Sequence, residues 1–375
     1  MSVDPDVPAG TVASNEISPE ELQLATRNHG MPLEAMRYDI TPVGLHYLLI
    51  HYDIPQVDPA SWTLEIDGAV GRPSRYTLED LQSREVVTRT VTMECAGNGR
   101  ARLMPRALSQ PWLLEAVGTG RWTGTPLWPL LDEAKLSPDA VDIVFTGVDH
   151  GVEGGVKQHY ARSLTVEQAR GDEALLAWAL NDAPLPPQHG FPLRLVVPGW
   201  YGMTSVKWLA RIVVSTEPFA GYQQTQAYRY RDEPGEPGEP VTRMRVRSLM
   251  IPPGIPDFFT RQRNLAPGPV LLEGRAWSGN GAVSRVEVSV DGGEHWAFAE
   301  LDDPTEEHAW QAWRFQWDAT PGTYELVCRA GDTAGYRQPL EYRWNLGGYA
   351  VNTVHRVTVV VAEDRLGPGD TGHTE

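Results

Sequence analysis

Apolar and polar positions change rhythm along this chain. From Tyr38 to about Phe219, strand-like alternation is mixed with short helical stretches; beyond residue 241 only the strand rhythm remains. Ser18-Pro19-Glu20-Glu21 predicts a capped helix start, with Pro in the first turn. Trp62–Gly68 predicts a strand ending in a turn, and Thr77–Leu81 a capped helix. Pro129–Ala134 and Thr165–Ala169 predict helical turns; the apolar, β-branched runs Leu193–Val197 and Val206–Ser215 predict buried strands. The E-P-G repeat Glu233–Pro240 suits neither helix nor central strand and predicts a linker. Seven strand-like runs follow, at Val270–Trp277, Ser284–Val290, His295–Leu301, Gln311–Trp317, Gly322–Ala330, Leu340–Trp344 and Val354–Val361. Their spacing predicts an antiparallel sandwich of immunoglobulin type. The expected organisation is an arm over 1–35, an α+β domain over 36–232, a linker over 233–240, an all-β domain over 241–365 and a disordered tail over 366–375.

Composition narrows the function. A net charge of −17 opposes nucleic-acid binding, which needs a basic face, but permits a local positive pocket. No apolar run reaches the length of a membrane span, so no membrane partner is expected. The first thirty residues lack a basic segment followed by an apolar one. That favours the cytoplasm, or the periplasm if an export signal has been removed. The two cysteines exclude a site of paired thiolates. Cys328 lies inside a strand-like run and reads as a packed core thiol.

Cys95 is different. Met93-Glu94-Cys95-Ala96-Gly97-Asn98-Gly99-Arg100 places a thiol in a Gly/Asn-rich turn after an apolar run, with arginine five residues on. Taken alone, it reads either as a buried structural thiol or as a thiolate ligand for a soft or high-valent metal. Ordered blocks elsewhere decide between these. They are Arg121-Trp122-Thr123-Gly124, Asn181–Pro186, His189–Arg194, Val196–Gly202 and Ser205–Leu209. Trp277-Ser278-Gly279, Asp291–Trp296, Trp344–Gly348 and His355-Arg356-Val357 follow in the second half. With Cys-Ala-Gly-Asn, this series resembles the sulfite oxidase family from Thr41 to Val361.

The resemblance implies a molybdopterin cofactor with Cys95 binding molybdenum. It implies cofactor contacts from Tyr47, His51, Asp149, His189, Arg194, Ser205, Val206 and Lys207, and catalytic or substrate contacts from Cys95, Arg100, Trp112 and Tyr228. It also implies a C-terminal immunoglobulin-like dimerisation domain, hence a homodimer. Arg194 and Lys207 suit a phosphate physically, one as a planar fork and the other as a point charge. No haem domain is evident, so electrons would pass to a separate acceptor, a cytochrome or oxygen. The expected reaction is two-electron oxo transfer to sulfite or a related sulfur compound. Alternatives are another oxo-transfer substrate (sulfoxide, nitrate) on the same cofactor, or a non-catalytic binding module.

Three departures from the family pattern bear on the substrate. Gly99 replaces an arginine of Cys-Ala-Gly-Asn-Arg-Arg. Leu49, in Tyr47–His51, stands where an anion-binding arginine is expected, and Arg27-Asn28-His29 reads as a decoy for that motif. Ala282 marks a further missing arginine after Trp277-Ser278-Gly279. Sulfite is therefore expected to be a poor substrate, used with a high KM, and a less charged compound a better one.

Overall fold

The computed structural model describes residues 11–12, 16–171 and 173–363. The expected tail over 366–375 lies outside the described residues. The chain forms two units. Of the described residues, those up to 31, those from 40 to 244 and those from 343 to 351 form one; those from 32 to 39, 245 to 342 and 352 to 363 form the other.

In the first unit, local sequence chemistry sets the helix starts. Ser18 caps Pro19–Ala25 in a reciprocal box with Glu21, Thr77 caps Leu78–Gln82 with Asp80, and Thr165 caps Val166–Ala169 with Gln168. Two sheets organise the unit. One runs in the order Ala183–Pro184, Leu175–Leu180, Val117–Pro126, Val87–Glu94, with Arg194–Val196 added beside Leu175–Leu180. The other runs Ser74–Tyr76, Leu64–Gly68, Leu209–Ser215, Asp142–Glu153, Val156–Thr165, and is mixed because Leu209–Ser215 pairs in parallel with Leu64–Gly68. A core of Leu64, Ile66, Leu127, Phe145, Leu176 and Ile212 packs against the second sheet. A second cluster, holding Tyr47, Met93, Cys95, Trp112 and Trp122, surrounds the site. The N-terminal arm is anchored in this unit by a buried ion pair, Glu21 to Arg106 at 2.8 Å. No helix among the described residues is long and apolar enough to cross a membrane.

The second unit is a two-sheet β structure. A four-stranded sheet runs Arg247–Met250, Gly268–Trp277, Gln311–Ala319, Glu300–Leu301. A six-stranded sheet runs Ile255–Pro256, Arg263–Leu265, His355–Val361, Gly322–Asp332, Val283–Ser289, Ala297–Phe298. Trp313, Leu272, Val286, Leu326 and Cys328 form its core. Cys328 is fully buried, burial pushes its thiol up to about 12, and it donates to the Ser248 carbonyl; it is a packing residue.

The structure corrects three sequence expectations. Leu340–Trp344 is not a strand: from Arg343 the chain joins the first unit, where Trp344 Nε1 donates to the Pro105 carbonyl at 2.6 Å. Arg247–Met250, unmarked in the sequence reading, is a fully buried strand. The E-P-G segment folds back as a hairpin, with Arg229–Tyr230 against Glu239–Pro240, inside the first unit. Proline is accommodated there because the two-residue pairing lies at a sheet edge.

Candidate active site

Cys95 follows directly on the strand Val87–Glu94, whose last five residues are all buried. Asn98 shapes the turn after it. Its Nδ2 donates to Glu94 Oε1 (3.0 Å) and the Leu114 carbonyl (3.1 Å), and its Oδ1 accepts from Ala116 N–H (3.1 Å). Gly99 then takes φ +100°, and a Cβ there would lie 2.6 Å from the Val351 carbonyl. No side chain fits that space, which gives a steric reason for Gly99 in place of the family arginine. Arg100 opens a 3₁₀ turn and is buried. Burial raises the Cys95 thiol pKa; the Arg100 charge and the Gly97 N–H counter it. Without a ligand the group is therefore a thiol at neutral pH, and binding a metal displaces its proton.

Two cavities meet at Cys95, both lined only by the first unit. Cys95, Leu49, His51 and Tyr228 line both of them. The inner one also receives Tyr47, Asp149, His189, Arg194, Ser205 and Lys207. Arg194 donates to the carbonyls of His189 (3.1 Å) and Ser205 (3.1 Å) and lies over the Trp122 ring at 4.7 Å. Lys207 Nζ donates to the carbonyls of Leu49 (2.8 Å) and Gln188 (3.1 Å). Neither cation has a carboxylate within ion-pair distance among the described residues. Burial lowers Arg194 to about 10 and Lys207 to about 7, the latter also pressed by Arg194. Asp149 Oδ1 is buried without a hydrogen-bond partner, and burial raises that carboxyl to about 7. The buried Arg194, the half-buried Lys207 and an unpartnered acceptor constitute a cleft built for an anionic ligand that also carries N–H donors. A pterin phosphate has both.

The outer cavity, about 290 Å³, is lined by Arg100, Trp112, Tyr228 and Tyr349 among others. Arg100 Nε donates to the Gly347 carbonyl (2.9 Å), and its guanidinium stands 5.1 Å from the Tyr349 ring centre. The Tyr228 hydroxyl is 2.6 Å from His51 Nε2. Burial lowers His51 to about 3, so its ring is neutral at pH 7 and can accept the phenol proton as a hydrogen bond.

Of the sequence-predicted residues, all but Val206 line one of these cavities. Val206 packs into the main core instead; the strand predicted over Val206–Ser215 begins only at Leu209, so Val206 lies in the irregular stretch before it. Ala282 lies in the second unit, where its carbonyl accepts from Thr333 N–H, and lines neither cavity. Leu49 does line both, where the expected arginine is missing. The supposed decoy has a supporting task. Asn28 Oδ1 accepts from Ile50 N–H at 2.7 Å, and His29 pairs with Leu48, so this segment holds the Tyr47–His51 stretch in place. Sequence reasoning missed Tyr349, Glu153 and Gln223 in the outer cavity. Gln223, which opens the run Gln223–Ala227 before Tyr228, and Tyr349, which follows Trp344–Gly348, carried a signal by position; Glu153 carried none.

Fold and site together define a scaffold in which one buried cysteine stands where a cation-lined cleft meets a second cavity. Comparison with known proteins supplies the family. Residues 51–223 match the oxidoreductase molybdopterin binding domain, and 239–362 match the Mo-co oxidoreductase dimerisation domain. Mitochondrial sulfite oxidase of Macaca fascicularis is 36% identical over 343 residues, covering 86% of this chain and 62% of that protein. Nitrate reductase [NAD(P)H] of Hordeum vulgare is 31% identical, covering 88% of this chain and 40% of that one. The sulfane dehydrogenase SoxCD from Paracoccus pantotrophus superposes with a TM-score of 0.78 at 27% identity, over 93% of this chain and 88% of the other. This chain belongs to the sulfite oxidase family of molybdopterin oxidoreductases. It spans less than two thirds of the length of the sulfite oxidases it matches.

Proposed function

We propose that the protein carries out two-electron oxo transfer to or from a small sulfur compound, with Cys95 holding molybdenum. The observation that carries this reading is the place of Cys95, buried where the cation-lined cleft meets the outer cavity. Arg194 and Lys207 pair with the cofactor phosphate, and Asp149 accepts from pterin N–H groups; His189, Ser205 and Tyr47 complete that wall. When bound, the cofactor supplies reversible two-electron oxygen-atom transfer at a substrate lone pair. For sulfite the overall balance is sulfite plus water giving sulfate, two protons and two electrons, the electrons leaving to a separate acceptor such as a cytochrome or oxygen. Arg100 and Tyr228 orient the substrate, His51 fixes the phenol, and Trp112 walls the cavity against water. The second unit is proposed to join two copies as a homodimer, in keeping with its match to a dimerisation domain.

Sulfite itself fits poorly. A charge-assisted hydrogen bond contributes about 1.5–3 kcal/mol. Leucine at 49 in place of arginine thus raises the sulfite KM by on the order of ten- to a hundredfold. A less charged sulfur compound or a sulfoxide does better. Nitrate is a second candidate, favoured by the similarity to plant nitrate reductases. A steady-state screen of sulfite, nitrate and sulfoxides with artificial redox partners tests this. Turnover of a sulfur compound with weak sulfite use is expected; no turnover of any of them by molybdenum-loaded protein contradicts the proposal.

A further inference from the structure

The outer cavity holds a carboxylate that none of the roles above uses. Glu153 ends the strand Asp142–Glu153 and lines the cavity that also holds Arg100 and Tyr228. It is fixed from two sides. The Tyr52 hydroxyl donates to its Oε2 at 3.2 Å, and Gln223 Nε2 donates to the same oxygen. Gln223 also reaches the Tyr52 oxygen at 3.3 Å and is itself 1% exposed. The carboxylate is therefore built into the wall and is not a swinging surface group.

Arg100 is the cationic side chain of the same cavity. Its Nε is committed to the Gly347 carbonyl, and one further nitrogen faces the Gln110 carbonyl at 3.4 Å. Among the described residues, Arg100 and Glu153 are the only arginine, lysine, aspartate or glutamate side chains lining this cavity, so their charges offset one another. Leu24, Leu49, Leu108 and Trp112 supply much of the remaining wall. A small dianion entering here gains one cation, meets one like charge and gives up its hydration against apolar surface. A molecule with an anionic end and a cationic end has both compensated, and its hydrocarbon part covers the leucines.

We propose that Glu153 is a specificity-determining residue, selecting a small zwitterionic organosulfur substrate over inorganic oxyanions. The cationic group of that substrate faces Glu153 while its anionic end meets Arg100. This rests on the oxo-transfer reading above and names the class of compound that the site takes.

The test compares molybdenum-loaded wild type with Glu153→Gln, which keeps an acceptor oxygen for Tyr52 and Gln223, and with Glu153→Asp, which keeps the charge. Calorimetric binding is measured for sulfate, for S-methylcysteine sulfoxide as a zwitterion, and for dimethyl sulfoxide as its neutral counterpart. Steady-state kinetics follow for sulfite and both sulfoxides. Glu153→Gln is expected to bind sulfate about tenfold more tightly and the zwitterion about tenfold more weakly, the size of one screened charge contact. It should leave dimethyl sulfoxide unchanged, and Glu153→Asp should keep the wild-type order. Unchanged affinities for sulfate and zwitterion in Glu153→Gln, or a shift of both in the same direction, overturn the proposal. Absence of turnover with all three substrates, alongside the expected binding shifts, overturns the oxo-transfer reading and leaves the role of Glu153 standing.

Discussion

At the scale of single residues, the site is a set of groups whose charge states depend on burial. His46, His51 and His189 have their pKa values lowered by burial to about 4, 3 and 2. An unfolded chain takes up protons on these rings near pH 6.5, and the folded one does not. Stability of the cofactor-free protein should therefore rise with pH from about 4 to about 6.5 and be lost as pH falls through that window. Asp149, raised by burial, opposes this as one group against three. Urea denaturation at pH steps checks the slope; a midpoint that falls across that range contradicts the neutral-ring assignment. Leu49 supports a second prediction. Its side chain lines both cavities, and Lys207 bonds only its carbonyl, so Leu49→Arg keeps the backbone contact while adding a cation. The sulfite KM should fall about tenfold or more. An unchanged KM would show that the arginine position is not what limits sulfite use.

At the scale of elements, the strap Arg343–Val351 completes the cavity. Leu346 N–H donates to the Arg231 carbonyl, Ala350 N–H donates to the Ala96 carbonyl, and Asn345 closes the loop onto Tyr349. Gly348 takes φ +59°, and a Cβ there would lie 2.7 Å from Arg100 Cγ. Gly348→Ala should push Arg100 aside and raise the KM for any anionic substrate several-fold, with the bound molybdenum unchanged; kinetics beside metal analysis read the two apart. The strap also shows where sequence reading stops. Helix caps at Ser18, Thr77 and Thr165 were legible because capping is a local side-chain-to-backbone bond. Cys95, Arg194 and Lys207 were legible through ordered motifs. That residues 343–351 leave their neighbours and pack with the first unit was not legible, because it depends on long-range backbone pairing with Ala96 and Arg231. The E-P-G hairpin is a local pairing, Tyr230 with Glu239, but its prolines and glycines hide it from a strand reading. Glu153 carried no motif at all.

At the scale of the whole molecule, the second unit is expected to hold a homodimer. Its tryptophans Trp277, Trp313 and Trp317 are buried core residues, so they do not supply the contact. Phe258 and Phe259, 78% and 88% exposed and packed edge to face on one another, are apolar surface within that unit. Sedimentation at micromolar concentration should give a dimer, and a monomer would count against the arrangement. The proposed chemistry requires Cys95 to hold a molybdenum cofactor between the cation-lined cleft and the outer cavity. The most direct measurement is molybdenum and released pterin per chain, with sulfur-substrate turnover, for wild type and Cys95→Ser side by side. Stoichiometric molybdenum and pterin in the wild type, with pterin retained and turnover lost in a folded Cys95→Ser, is the predicted result. Wild-type protein from molybdenum-replete cells that contains neither, or a Cys95→Ser variant that turns over at the wild-type rate, would contradict it.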